Sequence, residues 1–226
     1  FYLVIDDFDR INNAGDINQF LQYILDCFPR FLHLIVVTRS IPDLKLARMM
    51  SQRQLNWVTQ EHLTFKKEET AALLERLQQN KDGEPDMDEQ TILELDQRLE
   101  GWVTGLILFD RSLTVRLPGT VEENRTFKGQ HRLIFNYLEE NVFCMMSPDL
   151  QQFALKSAIL STLHKDLCNH LLNIRNAASI LHHLEAHHIF TSAVDGDRQF
   201  YRFHPIFREF LKVRLAMQFS SNQMAE

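Results

Sequence analysis

The chain lacks three features that would each assign it to a broad class of proteins. Uninterrupted apolar runs such as residues 34–37 are far shorter than the roughly 20 residues that cross a bilayer, so no membrane span is predicted. Cysteines are few, and Cys27, Cys144 and Cys168 are odd in number and far apart, which argues against a disulfide scaffold. No export signal is visible either. Together these absences predict a water-soluble protein of a reducing compartment, the cytoplasm.

A strongly basic surface is also missing. The 226 residues carry a formal net charge of −6, and although residues 150–226 are slightly basic, no segment has a large excess of lysine and arginine. Proteins that hold nucleic acid through its phosphates need such an excess. We therefore expect no direct nucleic-acid binding by this segment.

Signatures of common hydrolase and metal sites are absent or incomplete. There is no Gly-x-Ser-x-Gly elbow, and no cysteine lies close to a histidine in the spacing of a nucleophilic enzyme. His183 and His187 are four residues apart and could hold a metal from one helix face, but a third ligand at suitable spacing is lacking. A solvated helix face explains these histidines equally well.

The chain opens with a strand, a helix and a second strand. Residues 1–5 and 32–37 are apolar and partly β-branched, which is typical of strands buried on both faces of a parallel sheet. Between them, Ile17, Leu21 and Ile24 lie on one stripe of a predicted helix. This pattern predicts a right-handed βαβ unit. Because one such unit is too small to stand alone, we expect further strands of the sheet upstream of Phe1.

Helices dominate the rest of the chain, which ends in a predicted hairpin and a closing helix. A short strand is predicted at residues 55–58, and helices at 67–77, 88–99, 130–146, from 148 onward, 165–172 and 176–187, with turn-rich breaks at 81–86 and 117–129. Residues 190–194 and 199–203 flank a turn containing Asp195 and Gly196, and Pro205 begins the last helix. This order resembles a winged-helix domain.

Acidic and basic residues follow the two predicted strands. Asp6 and Asp7 end the first strand, at the sheet edge where open α/β proteins bind their ligands. Paired carboxylates there suit magnesium-nucleotide chemistry, in which one holds the metal and the other orients water. Arg39 follows the second strand and could reach a γ-phosphate. In the alternative interpretation, the acids cap the following loop and Arg39 is an ordinary surface arginine.

Four segments in this order resemble the signal-transduction ATPases with numerous domains, most closely the MalT-type regulators of the LuxR family. They are residues 3–7 (Leu-Val-Ile-Asp-Asp) as the Walker B strand, 34–40 as the sensor strand, 100–106 (Glu-Gly-Trp-Val-Thr-Gly-Leu), and 201–207 (Tyr-Arg-Phe-His-Pro-Ile-Phe) as the end of a winged-helix domain. The resemblance implies half of a P-loop NTPase core with a partial parallel sheet at residues 1–60, a helical subdomain at 61–129 and a winged-helix domain at 130–226.

The resemblance also implies roles for individual residues. Asp6 would be the magnesium-coordinating Walker B acid, Asp7 the acid that assists water, and Arg39 the sensor arginine. Gly101, Trp102 and Val103 would lie where related ATPases have a Gly-x-Pro turn against adenine, with Val103 at the proline position. His204 would contact the β-phosphate of ADP. The alternatives are that Trp102 fills the core, and that His204 caps the helix begun by Pro205 and packs against Phe203.

The phosphate-binding loop of this family, Gly-x-x-x-x-Gly-Lys-[ST], occurs nowhere in the chain. The resemblance places that loop upstream of the Walker B strand, and it places helical repeats and a DNA-binding domain downstream. We therefore expect these missing parts to be the main partners, with ATP or ADP and Mg²⁺ as cofactors of the intact protein, slow ATPase activity only there, and ATP-dependent self-association. Two hypotheses stay open: a nucleotide-dependent switch that controls transcription, and a non-catalytic protein-interaction scaffold derived from one.

Overall fold

The computed structural model describes residues 1–12, 14–27, 31–78, 89–114 and 132–223. They form two compact units, which we describe separately. The N-terminal unit consists of residues 1–59 and 186–188, and the helical unit consists of residues 60–185 and 189–226. The breaks predicted at 81–86 and 117–129 lie outside the described residues.

The N-terminal unit contains the predicted strand, helix and strand. Its elements are β1 (Tyr2–Ile5), a 3₁₀-helix (Phe8–Arg10), α1 (Gly15–Asp26), β2 (His33–Val36) and α2 (Ala47–Ser51). β1 and β2 pair in parallel, from Tyr2 opposite His33 to Ile5 opposite Val36. Because a helix joins two parallel neighbours, the βαβ prediction is confirmed.

Two strand predictions in this unit are wrong. β1 is not buried on both faces, since the side chains of Phe1, Tyr2 and Val4 are 85%, 75% and 58% exposed. The physical reason is that Tyr2 and Val4 pair with His33 and Ile35 on one face of the sheet, and no element among the described residues covers that face. The prediction fails for β2 in the same way, since Ile35 is 46% exposed. Residues 55–58 form no strand, because no neighbouring strand in the described structure pairs with them.

The helical unit is built from nine helices, a π-helix and a small antiparallel sheet within its described residues. These are α3 (Gln60–Leu63), α4 (Lys67–Gln78), α5 (Glu89–Leu99), α6 (Val103–Thr114), α7 (Arg132–Leu138), the π-helix (Glu139–Phe143), α8 (Pro148–Ser157), β3 (Leu163–His164), α9 (Lys165–Leu172), α10 (Ala177–Ala186), β4 (Thr191–Ala193), β5 (Phe200–Phe203) and α11 (Pro205–Gln223). The predicted helices at 67–77, 88–99, 165–172 and 176–187 are confirmed to within two residues at each end.

The small antiparallel sheet of the helical unit, formed by β3, β4 and β5, has one strand more than the sequence predicts. β4 and β5 form the predicted antiparallel hairpin, with Thr191 opposite Phe203. β3 adds to the other side of β5, in the order β3-β5-β4. With only two residues, Leu163 and His164, β3 is too short to show an alternating pattern in the sequence.

One hydrophobic core runs through the helical unit. Fully buried leucines of α4, α5 and α6, namely Leu74, Leu95, Leu99 and Leu106, join a group of phenylalanine rings from the C-terminal part. Phe203, Phe207 and Phe210 pack ring against ring, with centroids 5.8 and 6.0 Å apart in successive pairs. The core therefore ties α5 and α6 to β5 and α11, and it fixes the loops between these elements.

All three cysteines are free thiols, with Cys27 and Cys144 exposed and Cys168 buried. None of the helices in the described ranges is both long and apolar enough to cross a membrane.

Candidate functional site

The predicted acids and arginine of the N-terminal unit lie at one edge of its sheet. The strand pairing continues past both strands, because the Val37 amide donates to the Ile5 carbonyl over 2.8 Å and the Phe8 amide donates to the Val37 carbonyl over 3.0 Å. Asp6 and Asp7 leave β1 at this carboxyl edge, and Arg39 follows β2 at the same edge. The backbone thus brings together the three residues that the sequence singled out here.

A tight turn holds the two aspartates at this edge. Asp7 has a left-handed backbone with φ of 52°, and its amide donates to Asp6 Oδ1 over 2.9 Å. Asp7 Oδ2 lies 3.4 Å from Arg10 Nε, in an ion pair whose members are mostly exposed. Phe8, which follows, is fully buried and anchors the turn to the unit. Both carboxylates therefore face solvent from a fixed backbone.

Asp9 is a third acid at this edge, and the sequence analysis missed it. Its Oδ1 accepts a hydrogen bond from the Arg39 amide over 3.2 Å, which ties the loop after β1 to the loop after β2. The Thr38 hydroxyl donates to the Ser40 carbonyl over 2.8 Å and shapes the same loop. The Arg39 side chain is exposed. The position of Asp9, three residues after Asp6, could have drawn attention to it. Its hydrogen bond with the Arg39 amide could not be predicted without the fold.

The acidic edge fits a magnesium ion that arrives with a nucleotide better than one that the protein holds alone. No group of three or more His, Cys, Asp or Glu side chains in the described part of the chain is arranged around a metal position. Asp6 has one oxygen engaged by the Asp7 amide, which leaves Oδ2 for a ligand. Magnesium in nucleotide sites takes one or two carboxylates and completes its shell with phosphates and water.

The second candidate region is the turn between α5 and α6 in the helical unit. Glu100 and Gly101 both have positive φ, 43° and 70°. A Cβ at residue 101 would collide with the backbone of Phe65, whose amide donates to the Gly101 carbonyl over 3.1 Å. Trp102 closes the turn by donating its amide to the Leu99 carbonyl over 2.7 Å. Only glycine fits at 101, for backbone reasons that need no ligand.

Trp102 packs inside the unit. Its ring centroid lies 5.1 Å from that of Phe190 and 5.7 Å from that of Tyr137, and the ring also covers Gly105 on the next turn of α6. Trp102 is half-buried against the main core. These contacts agree with the core-filling alternative. Val103, the first residue of α6, is half-buried, and a contact of this turn with adenine stays a prediction.

His204 sits at the start of α11 and points toward the same turn. Its Nε2 lies 3.0 Å from the Leu99 carbonyl oxygen, and because a carbonyl only accepts, Nε2 carries the hydrogen. Nδ1 is buried and has no hydrogen-bond partner among the residues that the structure describes. Burial lowers the pKa of His204, although nearby Glu100 opposes this shift, so the neutral ring is favoured. The ring packs edge-on against Phe190 and Trp102, with centroids 5.5 and 6.4 Å apart.

Two ion pairs that were not predicted from the sequence flank His204. Arg202 of β5 makes a bidentate pair with Glu100, with oxygen–nitrogen distances of 2.6 and 3.0 Å. Arg98 lies 3.5 Å from Glu209 of α11. The partners are more than a hundred residues apart along the chain, so no local pattern could have predicted them. They join the end of α5 to the corner between β5 and α11.

The histidine group near residue 185 offers no developed metal site. His182 and His183 are exposed on α10, and His182 Nδ1 lies 3.9 Å from Glu185 Oε2. Among the described residues, no group of three or more His, Cys, Asp or Glu side chains is arranged so that it could hold a metal ion. His183 and His187, the two histidines considered as ligands, are both exposed, which agrees with a solvated face.

Comparison with known proteins identifies relatives for nearly the whole chain. Residues 138–223 match the family model of the MalT winged helix domain. The "HTH-type transcriptional regulator MalT" of Vibrio cholerae serotype O1 is 28% identical over 213 residues, covering 93% of this chain and 23% of the relative. The proteins of the same name from Cronobacter sakazakii and Yersinia pestis are 27% identical over 222 residues and 28% identical over 221 residues, covering 24% and 23% of their lengths. The chain thus spans about a quarter of these relatives.

Proposed function

We propose, on the premise that this chain is a segment homologous to MalT-type transcriptional regulators, that it is the part of such a regulator that responds to ATP and ADP. In this proposal Asp6 holds the nucleotide's magnesium ion, Asp7 assists the attacking water and Arg39 contacts the γ-phosphate. His204 contacts the β-phosphate of ADP, and residues 101–103 lie beside adenine. The phosphate-binding loop comes from a preceding segment of the whole protein.

The single observation that carries this proposal is the parallel pairing of β1 and β2. It brings Asp6 and Asp7 to the same sheet edge as Arg39, although the sequence separates them by more than 30 residues. Carboxylates and an arginine on neighbouring strand ends are a suitable set for a magnesium-bound phosphate chain. The match to a winged-helix domain of transcriptional regulators supports a regulatory rather than a metabolic use of the nucleotide.

In this proposal, different residues recognise ATP and ADP. Arg39 carries a permanent charge and would stabilise the additional phosphate of ATP. A neutral His204 would donate one hydrogen bond to ADP without a fixed charge. Each nucleotide would thereby favour a different arrangement of the protein, with ADP holding the winged-helix domain in place and ATP releasing it to allow self-association. Slow hydrolysis in the cytoplasm would reset the switch.

The test measures magnesium-dependent ATP and ADP binding by the whole protein. Asp6→Asn should weaken Mg-ATP binding by at least about tenfold, because it removes the metal's carboxylate ligand. Arg39→Ala should weaken ATP binding more than ADP binding. Asp26→Asn, at the far end of α1, is the matched control and should change neither affinity. Unchanged Mg-ATP binding in Asp6→Asn would refute the assigned metal role, and an unchanged ADP preference in His204→Ala would refute the proposed ADP contact.

One observation favours the alternative, a protein-interaction scaffold. Large apolar side chains of β1 and β2 are exposed, among them Tyr2, Val4 and Ile35, and Arg10 already pairs with the carboxylate of Asp7. An exposed apolar sheet face is typical of a docking surface. The two functions separate on one measurement: a whole protein that binds neither nucleotide, even with magnesium, is a scaffold. A phosphate-binding loop encoded upstream of Phe1 would favour the switch instead.

A further inference from the structure

We propose that the end of α5 and the β5–α11 corner form an ion-pair latch, and that His204 can hold either this latch or a nucleotide phosphate, but not both. The inference rests on the proposed function and adds to it a means of regulation. One side of the ion-pair latch is the end of α5, with Arg98, Leu99 and Glu100. The other side is Arg202 of β5, His204 just before α11, and Glu209 of α11.

Each residue at the end of α5 has its own partner. Arg98 pairs with Glu209 at 3.5 Å, the Leu99 carbonyl accepts from His204 Nε2 at 3.0 Å, and Glu100 pairs with Arg202 at 2.6 Å. The order of the partners is therefore reversed: residues 98, 99 and 100 contact residues 209, 204 and 202. Three neighbouring contacts fix position and orientation together, whereas a single contact would leave the segment free to pivot.

The charges of the two ion pairs are arranged with opposite polarity. The α5 side contributes a cation at residue 98 and an anion at residue 100, and the other side contributes Glu209 and Arg202. A shift of register would bring like charges together, so the polarity selects one alignment. The Glu100–Arg202 pair is bidentate with distances of 2.6 and 3.0 Å, whereas Arg98 and Glu209 are 3.5 Å apart, so the Glu100–Arg202 pair is the stronger of the two contacts.

His204 can serve a single acceptor at a time. The neutral imidazole has one N–H, and in this structure Nε2 donates it to the Leu99 carbonyl. Nδ1, which is buried without a hydrogen-bond partner in the described part of the chain, then carries only a lone pair and cannot donate to a phosphate. A second donor would require protonation, which burial of the ring disfavours. A phosphate can therefore receive the hydrogen bond only after Leu99 has lost it.

The ion pairs then oppose nucleotide contact through His204. They hold the Leu99 carbonyl beside the ring, so they stabilise the state in which the hydrogen bond is already used. A ligand that contacts His204 only in the unlatched state binds with an apparent affinity reduced in proportion to the fraction of molecules that are unlatched. Weakening the latch should therefore tighten ADP binding, which is the opposite of what loss of a direct ligand contact does.

The experiment measures the ADP dissociation constant of the whole protein and four variants. Glu100→Gln and Arg202→Gln should each tighten ADP binding by about fivefold, the equivalent of about 1 kcal/mol. The charge-exchanged double variant E100R/R202E should return the affinity to the wild-type value. Glu89→Gln is the matched control, because its pair with Lys67 is longer, at 3.9 Å, and Glu89 is 91% exposed. It should leave ADP affinity unchanged.

The dependence on His204 separates a latch from a general loss of stability. In a His204→Ala background, Glu100→Gln should have no effect on ADP affinity, since no donor is left to release. Hydrogen exchange of the whole protein supplies a second readout: ADP should speed exchange of the amides at residues 100–102, and Glu100→Gln should do so without ADP. Residues 100–102 include Trp102, whose amide also depends on the Leu99 carbonyl.

Failures of the two proposals are distinguishable. If the wild-type protein binds no nucleotide, the proposed function and the competition at His204 both fall. If ADP binds and His204→Ala alters its affinity, but Glu100→Gln and Arg202→Gln weaken binding or leave it unchanged, the ion-pair latch alone is wrong. An effect of Glu100→Gln that persists without His204 would also overturn it.

Discussion

The two units use similar apolar residues in opposite ways. In the N-terminal unit, Tyr2 and Phe20 are 75% and 63% exposed, and Phe8 and Leu21 are its buried large side chains within the described residues. In the helical unit, leucines and phenylalanines of ten elements form one continuous core. Periodicity predicted strands and helices in both units, because it reports the local backbone. Burial depends on which elements pack against a face, and that information is not local.

The largest contrast should come from removing one phenylalanine ring in each unit. Phe207 is fully buried between Phe203 and Phe210, so Phe207→Ala leaves a cavity and should lower the free energy of unfolding by about 3–5 kcal/mol. Phe20→Ala should change it by less than about 0.5 kcal/mol. Chemical denaturation followed by circular dichroism measures both. An equally large loss at Phe20 would break the comparison, since it would show that this face is covered in solution.

A pair of glycines gives the next largest difference. Gly101→Ala should lower the free energy of unfolding by about 2–3 kcal/mol, because the new Cβ meets the Phe65 backbone and φ is 70°. Gly15→Ala is the matched control: no atom of the described residues outside its chain neighbours lies within 4 Å of its added Cβ, and the residue begins α1. It should be neutral or slightly stabilising. Thermal unfolding of both variants checks this, and equal melting temperatures would contradict the strained geometry at 101.

Local patterns in the sequence were sufficient where elements that are adjacent along the chain also pack together. The βαβ unit, the hairpin around Asp195 and the helix begun by Pro205 each follow from local periodicity and turn residues, and the structure contains all three. The strand at 55–58 was wrong for the converse reason, since its apolar residues suit a strand but no strand of the described residues pairs with them. β-structure is completed only by a second segment.

The same limit applies to the candidate site. Asp6, Asp7 and Arg39 could be selected from the sequence because chemistry follows strand ends in parallel sheets. Asp9 and Glu100 could not, because their roles come from partners 30 and 102 residues away, at Arg39 and Arg202. His204 was selected by resemblance, and its contact with the Leu99 carbonyl became visible only in three dimensions.

Helix ends provide a smaller contrast between the units. The last turn of α1 has no basic residue, whereas the carbonyls of Ala158 and Ile159 just after α8 accept hydrogen bonds from Arg208 at 3.0 and 3.2 Å. Arg208→Ala should therefore lower the free energy of unfolding by about 1–2 kcal/mol. Lys156→Ala, at an exposed position of α8, is the control and should change it by less than about 0.5 kcal/mol. Equal effects in a urea titration would show that loss of a positive charge matters more than the hydrogen bonds.

The smallest expected effect is a pH dependence that distinguishes a buried histidine from an exposed one. Burial is the main cause that lowers the pKa of His204. Of the charged groups facing the ring, Glu100 opposes this shift and Arg202 reinforces it. The unfolded chain, with an ordinary pKa of about 6.5, then binds more protons than the folded one between the two pKa values. The free energy of unfolding should therefore fall as the pH drops from about 6.5 toward the folded pKa and be insensitive to His204 below it.

His204→Gln should remove this part of the pH slope, because glutamine keeps an N–H donor for the Leu99 carbonyl but does not titrate. His33→Gln is the matched variant in the N-terminal unit, where the exposed ring stacks on Tyr2 with centroids 4.9 Å apart. Denaturation curves at several pH values between about 5 and 8, where histidine ordinarily titrates, measure how the pH slope of the unfolding free energy differs between the two variants. A larger change of slope in His33→Gln would mean that the buried ring is not the one that couples protonation to stability. The contrast between buried residues in the helical unit and exposed residues in the N-terminal unit would then not apply to the pH dependence of their histidines.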